Sequence, residues 1–189
     1  MDTPRYVLSA LDATAVTKAN MGAVVRVKIA VWILLGVMLL LSLLTGENVF
    51  HNLSWPAKLS VIVLTLWALC FNTDELAPAP MELRFYDDRL VVYHDRRAYS
   101  PRNVRREIRT IYYRDVKECQ YRKRRARVNI VGRFEDTWYT FPPDGPPPAQ
   151  ASRQRVVDGA ITFHTYFSPE IDFAAEIEAH SPLRVTVTE

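Results

Sequence analysis

The sequence IAVWILLGVMLLLSLL, from Ile29 to Leu44, contains no charged residue, and Ser42 is its single weakly polar residue. A second apolar run, Leu59 to Phe71, begins after fourteen intervening residues. A helix needs ~20 mostly apolar residues to cross a hydrocarbon core of ~30 Å, and suitable flanking residues let shorter runs cross. The two runs therefore predict a two-helix transmembrane hairpin over residues 21–71.

The residues that flank the two runs fit a membrane interface. Arg26 and Lys28 precede the first run, and long basic side chains extend along a helix towards the headgroups. Trp55 and Lys58 open the second run as interfacial anchors. The alternatives are two buried helices of a soluble protein and a cleaved signal peptide. The first run is apolar all round and lacks a small-x-small cleavage site after it, which favours the hairpin.

The distribution of Lys and Arg predicts the orientation of this hairpin. The connecting segment 45–57 contains neither residue, whereas Lys18, Arg26 and Lys28 precede the hairpin and nineteen Lys or Arg follow it. Positive residues near the ends of membrane helices stay on the cytoplasmic side. We therefore expect a cell-membrane protein with two spans and with both termini in the cytoplasm. Cys70 and Cys119 have no spacing that indicates a disulfide or a metal site.

The rest of the chain is predicted to form a cytoplasmic domain. Residues 1–20 are expected to be a separate cytoplasmic segment, and residues 72–80, with two prolines, an extended linker. From residue 81 onwards the apolar residues recur with a period of two, which is typical of antiparallel strands. We predict a turn at 134–136, an exposed proline-rich loop at 142–148 and a last strand over 160–167.

A helix is predicted to close this domain. Ser168 is suited to the N-cap and Pro169 to the first helical position. Phe173 and Ile177 would give the helix an apolar face against the sheet, and the helix is expected to end near His180. Sequence pattern therefore indicates an α+β protein with many short strands and one C-terminal helix.

This order of elements resembles a pleckstrin-homology-like domain, and the context makes the resemblance more specific. Arg5–Ser9, the hairpin, the spacer, Phe85–Leu90, Ile111–Val116 and the final helix follow one another as in the YcxB-like bacterial membrane proteins. The resemblance covers nearly the full chain and rests on order and pattern. It implies a curved, partly open antiparallel β-barrel that the C-terminal helix caps, tethered to the inner face of the membrane. It implies no established catalytic residue.

The sequence carries no motif of an enzyme. The four histidines, His51, His94, His164 and His180, have no HExxH or HxxxH spacing, and neither a Walker-type glycine loop nor a G-x-S-x-G motif is present. We therefore predict a protein that is not an enzyme, with no catalytic residue, no metal and no cofactor.

A run of basic residues is the strongest candidate for a binding site. The net charge of +3 hides a region, Arg96 to Arg133, with fourteen Lys or Arg and three carboxylates. Each Lys or Arg near an anionic leaflet contributes ~1 kcal/mol of attraction. The alternatives are that these charges pair across strands, or serve only solubility and topology. Nucleic acid is not the ligand we expect. The predicted lipid- or partner-binding residues are Arg122, Lys123, Arg124, Arg125 and Arg127.

Two functions fit these features of the sequence. The first is a membrane-anchored binding or scaffold protein whose basic loop contacts anionic lipid headgroups. The second is a subunit of a membrane protein assembly, or a homo-oligomer, whose hairpin and barrel bind another protein, with Gly36 and Ser42 on the contact face of the hairpin. In the second case the basic run would serve only topology and solubility.

Overall fold

The computed structural model describes residues 3–18, 21–100 and 102–189. The chain divides into two compact units, which we call the sheet unit and the helical unit. The sheet unit combines the N-terminal residues up to Val16 with Leu76–Glu189, and the helical unit is Thr17–Glu75. The sheet unit is therefore built from two parts of the sequence that the helical unit separates.

The helical unit contains helix α1 (Gly22–Thr45), the short α2 (Val49–Asn52) and α3 (Trp55–Cys70). All residues of α1 are described, and Val31 is the only buried one. The Lys28 ammonium near the start of α1 donates to the carbonyl of Phe71 just after α3, at 2.8 Å. The two long helices therefore run antiparallel, as a hairpin.

The hairpin confirms the prediction of an apolar N-terminal helix and leaves the second span as a prediction. α1 has 24 residues, and an 18-residue stretch within it has a mean hydropathy of 2.5, which suffices by length and composition to cross a membrane. α3 has 16 residues, or roughly 24 Å of helix, against a hydrocarbon core of roughly 30 Å. Of the helices in the described part of the chain, α1 alone is both long enough and apolar enough to cross a membrane.

The sheet unit contains seven strands and one helix. The strands follow one another across the sheet in chain order from β1 to β6, consecutive strands from β2 to β6 pair antiparallel, and β7 lies parallel to β4. The elements are β1 (Tyr6–Thr17), β2 (Asp74–Phe85), β3 (Arg89–Ser100), β4 (Asn103–Arg122), β5 (Arg127–Phe141), β6 (Arg153–His164), α4 (Phe173–His180) and β7 (Thr186–Thr188).

Two segments that the sequence assigns outside the sheet are strands within it. Residues 1–20 are predicted as a separate segment, but Tyr6–Thr17 forms β1 beside β2. Residues 72–80 are predicted as a linker, but β2 already begins at Asp74. The pairing of β2 with β3 covers Glu82–Phe85. The prolines of β2 lie outside that pairing, so β3 does not require an N–H donor from them.

Other predicted boundaries also differ from the structure. The turn predicted at 134–136 is wrong, because β5 runs through it and buries Phe134 and Asp136. The last long strand is Arg153–His164 rather than 160–167. The N-cap of α4 is Asp172, whose carboxylate accepts from the backbone N–H groups of residues 174 and 175, both at 3.1 Å. Ser168, the predicted cap, instead accepts from the backbone N–H of Leu11 at 2.9 Å.

The apolar core lies on one face of the sheet, and α4 covers it. Phe173 and Ile177 of α4 are fully buried in the same cluster as strand residues of β2 to β6. The strand residues that are fully buried there are Leu83, Phe85, Leu90, Val92, Ile111, Val128, Ile130, Ile161 and Phe163. The predicted C-terminal helix against an antiparallel sheet is confirmed.

The predicted barrel is not closed. The sheet is open, and in the described residues β1 and β6 are its two edges. A side chain joins these edges in place of a strand ladder, because the Asp12 carboxylate of β1 accepts from the backbone N–H of His164 at 2.7 Å. The architecture is therefore an antiparallel sheet with a helix on one face.

Candidate functional site

The predicted basic run forms a tight turn between β4 and β5, which we call the basic turn (residues 122–127). Lys123–Arg125 form one turn of 3-10 helix, and Ala126 follows in the left-handed region with φ of 41°. Lys123, Arg124 and Arg125 are exposed. In the part of the chain that the structure describes, none of these three side chains has an ion-pair partner. The turn therefore presents three free cations to solvent.

The two flanking arginines of the basic turn are held more firmly. Arg122 donates from Nη2 to the side-chain oxygen of Gln120 at 3.2 Å. Arg127 is half-buried, and its buried Nε lacks a hydrogen-bond partner among the described residues. An open groove of about 720 Å³ borders the turn, lined also by Thr188 and Glu189. The structure thus brings the predicted residues together in one place.

Many of the other arginines are paired across strands, as the alternative interpretation of the charge run predicts. A ladder of alternating charge crosses the sheet on the same face as the core. Arg97 of β3 contacts Glu107 of β4 at 3.2 Å, and Glu107 contacts Arg109 at 2.9 Å. Asp136 of β5 receives Arg109 at 3.4 Å and Arg155 of β6 at 3.1 Å. Both carboxylates of the ladder are buried.

The buried Asp12 continues this ladder towards β1. Its carboxylate accepts from His94 Nε2 at 3.1 Å and lies 3.4 Å from Arg97 Nη2. Burial raises the pKa of the Asp12 carboxyl, but the hydrogen bonds from His94 and from the backbone of His164, together with the charge of Arg97, outweigh it. The pKa of Asp12 is therefore lowered, and the carboxylate is ionised at neutral pH.

Beyond the ladder lies a group of arginines around one indole ring, which we call the Trp138 cluster (Tyr99, Arg105, Trp138, Arg153 and Arg155). The Arg105 guanidinium carbon lies 3.3 Å from the centroid of the Tyr99 ring and 4.8 Å from that of Trp138. The guanidinium carbons of Arg153 and Arg155 lie 5.3 and 5.0 Å from the Trp138 ring. Cation–π contact holds such a group together.

Sequence reasoning missed Asp12, the ladder and the Trp138 cluster. The available signal was the alternation in β4, where Arg105, Glu107 and Arg109 fall on the same face as the buried Ile111. That alternation indicates that the inner face of the sheet changes from apolar to charged. It does not identify the partners, because these are set by the pairing of four strands.

The residues predicted at the membrane interface all lie in the helical unit. Arg26 is exposed in the first turns of α1, and Lys28 lies two positions further along the same helix. Trp55 is 74% exposed at the start of α3, one turn before the half-buried Lys58. In an antiparallel hairpin these pairs fall at opposite ends. Their contact with lipid stays a prediction.

The histidines and cysteines form no further site. In the described ranges, no group of three or more His, Cys, Asp or Glu side chains is placed to hold a metal ion. Cys119 is buried, and burial raises the pKa of its thiol to about 12. This thiol is therefore protonated and unreactive near neutral pH.

Fold and site together define the class of protein. It combines an antiparallel sheet domain, which has charged residues on its inner face and an exposed basic turn, with an apolar helical hairpin in the same chain. No protein-family model, curated protein or solved structure matches the chain. The resemblance to YcxB-like membrane proteins therefore stays a prediction.

Proposed function

We propose that this chain is a membrane-anchored binding protein, not an enzyme, whose pleckstrin-homology-like sheet unit docks on anionic lipid headgroups through the basic turn. The observation that carries the proposal is the group of three exposed cations, Lys123, Arg124 and Arg125, without acidic partners in the described residues. Most other cations of the charge run are engaged by carboxylates or aromatic rings. Free cations on one turn are what an anionic surface recognises.

The strand order supports a second membrane span. β1 precedes α1 and β2 follows α3, yet these strands are neighbours in one sheet. A chain that crossed a bilayer once between them would leave its two strands on opposite sides. If α1 spans the membrane, a return crossing is required, and α3 is the other long apolar helix between residues 46 and 73. Exposed apolar residues along α3, including Ile62, Val63 and Leu66, fit that role.

We predict that the connecting loop and the sheet unit lie on opposite sides of the membrane. In a Cys70→Ser background, Cys119 is buried and unreactive, so Glu47→Cys and Arg114→Cys each create one accessible thiol. In intact cells, an impermeant maleimide should label Glu47→Cys and spare Arg114→Cys. Permeabilised cells, the control, should show labelling of both. Labelling of Arg114→Cys from outside would reverse the proposed orientation.

We expect the loss of three charges from the basic turn to release the sheet unit from an anionic membrane. Each cation contributes ~1 kcal/mol near such a surface, so Lys123→Gln, Arg124→Gln and Arg125→Gln together should weaken docking roughly a hundredfold. A Thr188→Cys label beside the turn, again with Cys70→Ser, reports docking in nanodiscs that contain quencher-bearing lipid. Quenching should occur with added phosphatidylglycerol, fall with salt, and be absent with phosphatidylcholine alone.

A matched control removes three charges elsewhere on the sheet unit. Arg114, Arg133 and Arg184 are exposed and lie outside the basic turn. Their change to Gln lowers the net charge by the same amount and should leave quenching almost unchanged. Equal losses in the two triple variants would show a general charge effect and defeat the role of the basic turn. The full chain is used because the sheet unit needs β1, which precedes the helical unit.

The second candidate function is a subunit of a membrane assembly, and the surroundings of Gly36 favour it. A Cβ added at Gly36 would meet no atom within 4 Å, so this face of α1 is open to a neighbouring helix. Ser42 fits less well, because its hydroxyl already donates to Met38 and accepts from Val49. If the Gly36→Leu variant no longer binds a partner protein but still docks on lipid, that result would favour this function.

A further inference from the structure

The inner face of the sheet unit carries more positive charge than its carboxylates neutralise. Three carboxylates lie there, Asp12, Glu107 and Asp136, and five arginines accompany them. Arg97, Arg109 and Arg155 contact these carboxylates directly. The two remaining arginines are Arg105 and Arg153, and the described residues supply neither with an acid.

Strand pairing places these two unneutralised arginines on the strands that flank Trp138, Arg105 on β4 and Arg153 on β6. Trp138 of β5 is the direct cross-strand partner of Arg153 in β6. Arg105 of β4 lies opposite Arg97 of β3, so a like charge faces it where an acid would be expected. Both guanidinium groups lie over the Trp138 ring. The Trp138 ring therefore carries two guanidinium groups that have no carboxylate partner among the described residues.

Arg105 is arranged to donate hydrogen bonds that nothing within the described chain accepts. Its guanidinium carbon lies over both the Tyr99 and the Trp138 rings, and aromatic rings offer its N–H groups no strong acceptor. Its Nε is buried without a partner. The remaining N–H groups of this cationic side chain have no acceptor among the described residues and can donate to an anionic ligand.

From this geometry we propose that the Trp138 cluster binds a phosphate group, with Arg105 and Arg153 as its charged donors. Guanidinium groups match the oxygens of a phosphate in pairs, which distinguishes this ligand from a simple halide. The phosphate belongs to a lipid headgroup or to a free phosphate compound. The cluster lies at the opposite end of the long β4 from the basic turn, so it is a second site that does not depend on the proposed function.

The chain provides its own reporter for this site. Its four tryptophans are Trp32, Trp55, Trp67 and Trp138, and only Trp138 belongs to the sheet unit. The full chain with the other three changed to Phe, in phosphatidylcholine nanodiscs, therefore reports through Trp138 emission. We expect inorganic pyrophosphate, at constant ionic strength, to change this emission saturably. Arg105→Gln with Arg153→Gln should weaken the apparent affinity by about tenfold or more.

The controls separate this site from general charge and from the basic turn. Arg133→Gln removes an exposed charge on the same strand as Trp138 but on the opposite face, and should bind pyrophosphate as the parent does. The triple Gln variant of the basic turn should also bind normally. If phosphatidic acid in the nanodisc changes the emission without pyrophosphate, the lipid is the source of the phosphate group. A response to pyrophosphate alone identifies a free compound.

The outcomes that overturn the site are equally defined. No saturable change with either phosphate source, or equal affinity in the parent and the folded double variant, excludes it. Should the double variant lose its circular dichroism, Arg153→Gln alone decides, because Arg153 is exposed at the start of β6. An affinity unchanged by that single replacement overturns the site, and a several-fold loss supports it.

Discussion

Replacement of Asp12 by alanine is expected to lower the free energy of unfolding of the sheet unit by about 3–5 kcal/mol, as for other buried ion pairs that lose one partner. The Asp12 side chain is fully buried. It accepts from the backbone of Ala13 and His164, both at 2.7 Å, and from His94 Nε2. Alanine leaves these donors, and the charge of Arg97, without an acceptor. The bond to His164 is also a link between the two sheet edges.

The same carboxylate should make stability depend on pH. The pKa of Asp12 is lowered in the folded chain, so the folded state binds its proton more weakly than the unfolded state does. Its contribution is therefore present above the ordinary aspartate pKa of roughly 4 and is lost as pH falls through the folded pKa. Asp12→Asn removes the titrating group and should flatten the dependence of stability on pH in that acid range.

Urea unfolding of the full chain in detergent micelles measures both effects through Trp138 fluorescence. The background in which the other tryptophans are Phe restricts the signal to the sheet unit. Thr14→Val is a suitable control, because Thr14 is buried on the same strand and, among the described residues, its side chain makes one hydrogen bond, to the carbonyl of Ala98 at 3.2 Å. If the Asp12→Ala and Thr14→Val variants unfold at the same urea concentration, that result would contradict a central role for the Asp12 carboxylate.

The difference between what the sequence predicts and what it misses follows from the range of the interactions. α1 and the basic turn are local features, set by neighbours within a few residues, and both are found where predicted. The sequence pattern does not predict β1, because the buried positions of this strand include the polar residues Asp12 and Thr14 as well as Leu8 and Ala10. Alternation of apolar and polar residues marks a strand only where the inner face is apolar.

The Asp12 contacts depend on pairings that span most of the chain, and the Trp138 cluster depends on residues from four strands, β3 to β6. Asp12 and His164 are 152 positions apart, and Leu11 and Ser168 are 157 apart. No local pattern links such residues, and a shift of one position in strand register would turn each side chain to the other face. The sequence therefore shows where the charged residues lie along the chain, but it does not show which of them are neutralised by a partner.

Gly132 illustrates a constraint that is equally invisible in the sequence. The pairing of β4 with β5 changes register between Ile111 and Val116, and the extra residues form a bulge against β5. A Cβ added at Gly132 would lie 2.3 Å from the backbone oxygen of Asp115. Backbone atoms cannot turn aside as a flexible side chain can. The bulge is therefore compatible only with glycine at this position.

Gly132→Ala is accordingly expected to lower the free energy of unfolding by about 3 kcal/mol, within the range for overpacking in a sheet interior, and Gly132→Val by more. Gly159→Ala is the matched control, because Gly159 is the cross-strand partner of Gly132. Its added Cβ would meet Val157 Cγ1 at 3.6 Å, an ordinary contact, and alanine should be neutral or stabilise the strand by up to roughly 1 kcal/mol. The two variants differ only in which strand carries the methyl group, so the same urea measurement compares them directly. Equal midpoints would mean that the bulge at Asp115 moves away from β5 at little cost. A loss confined to Gly132→Ala would show that the bulge is fixed against β5 by the packing of the apolar core beside it.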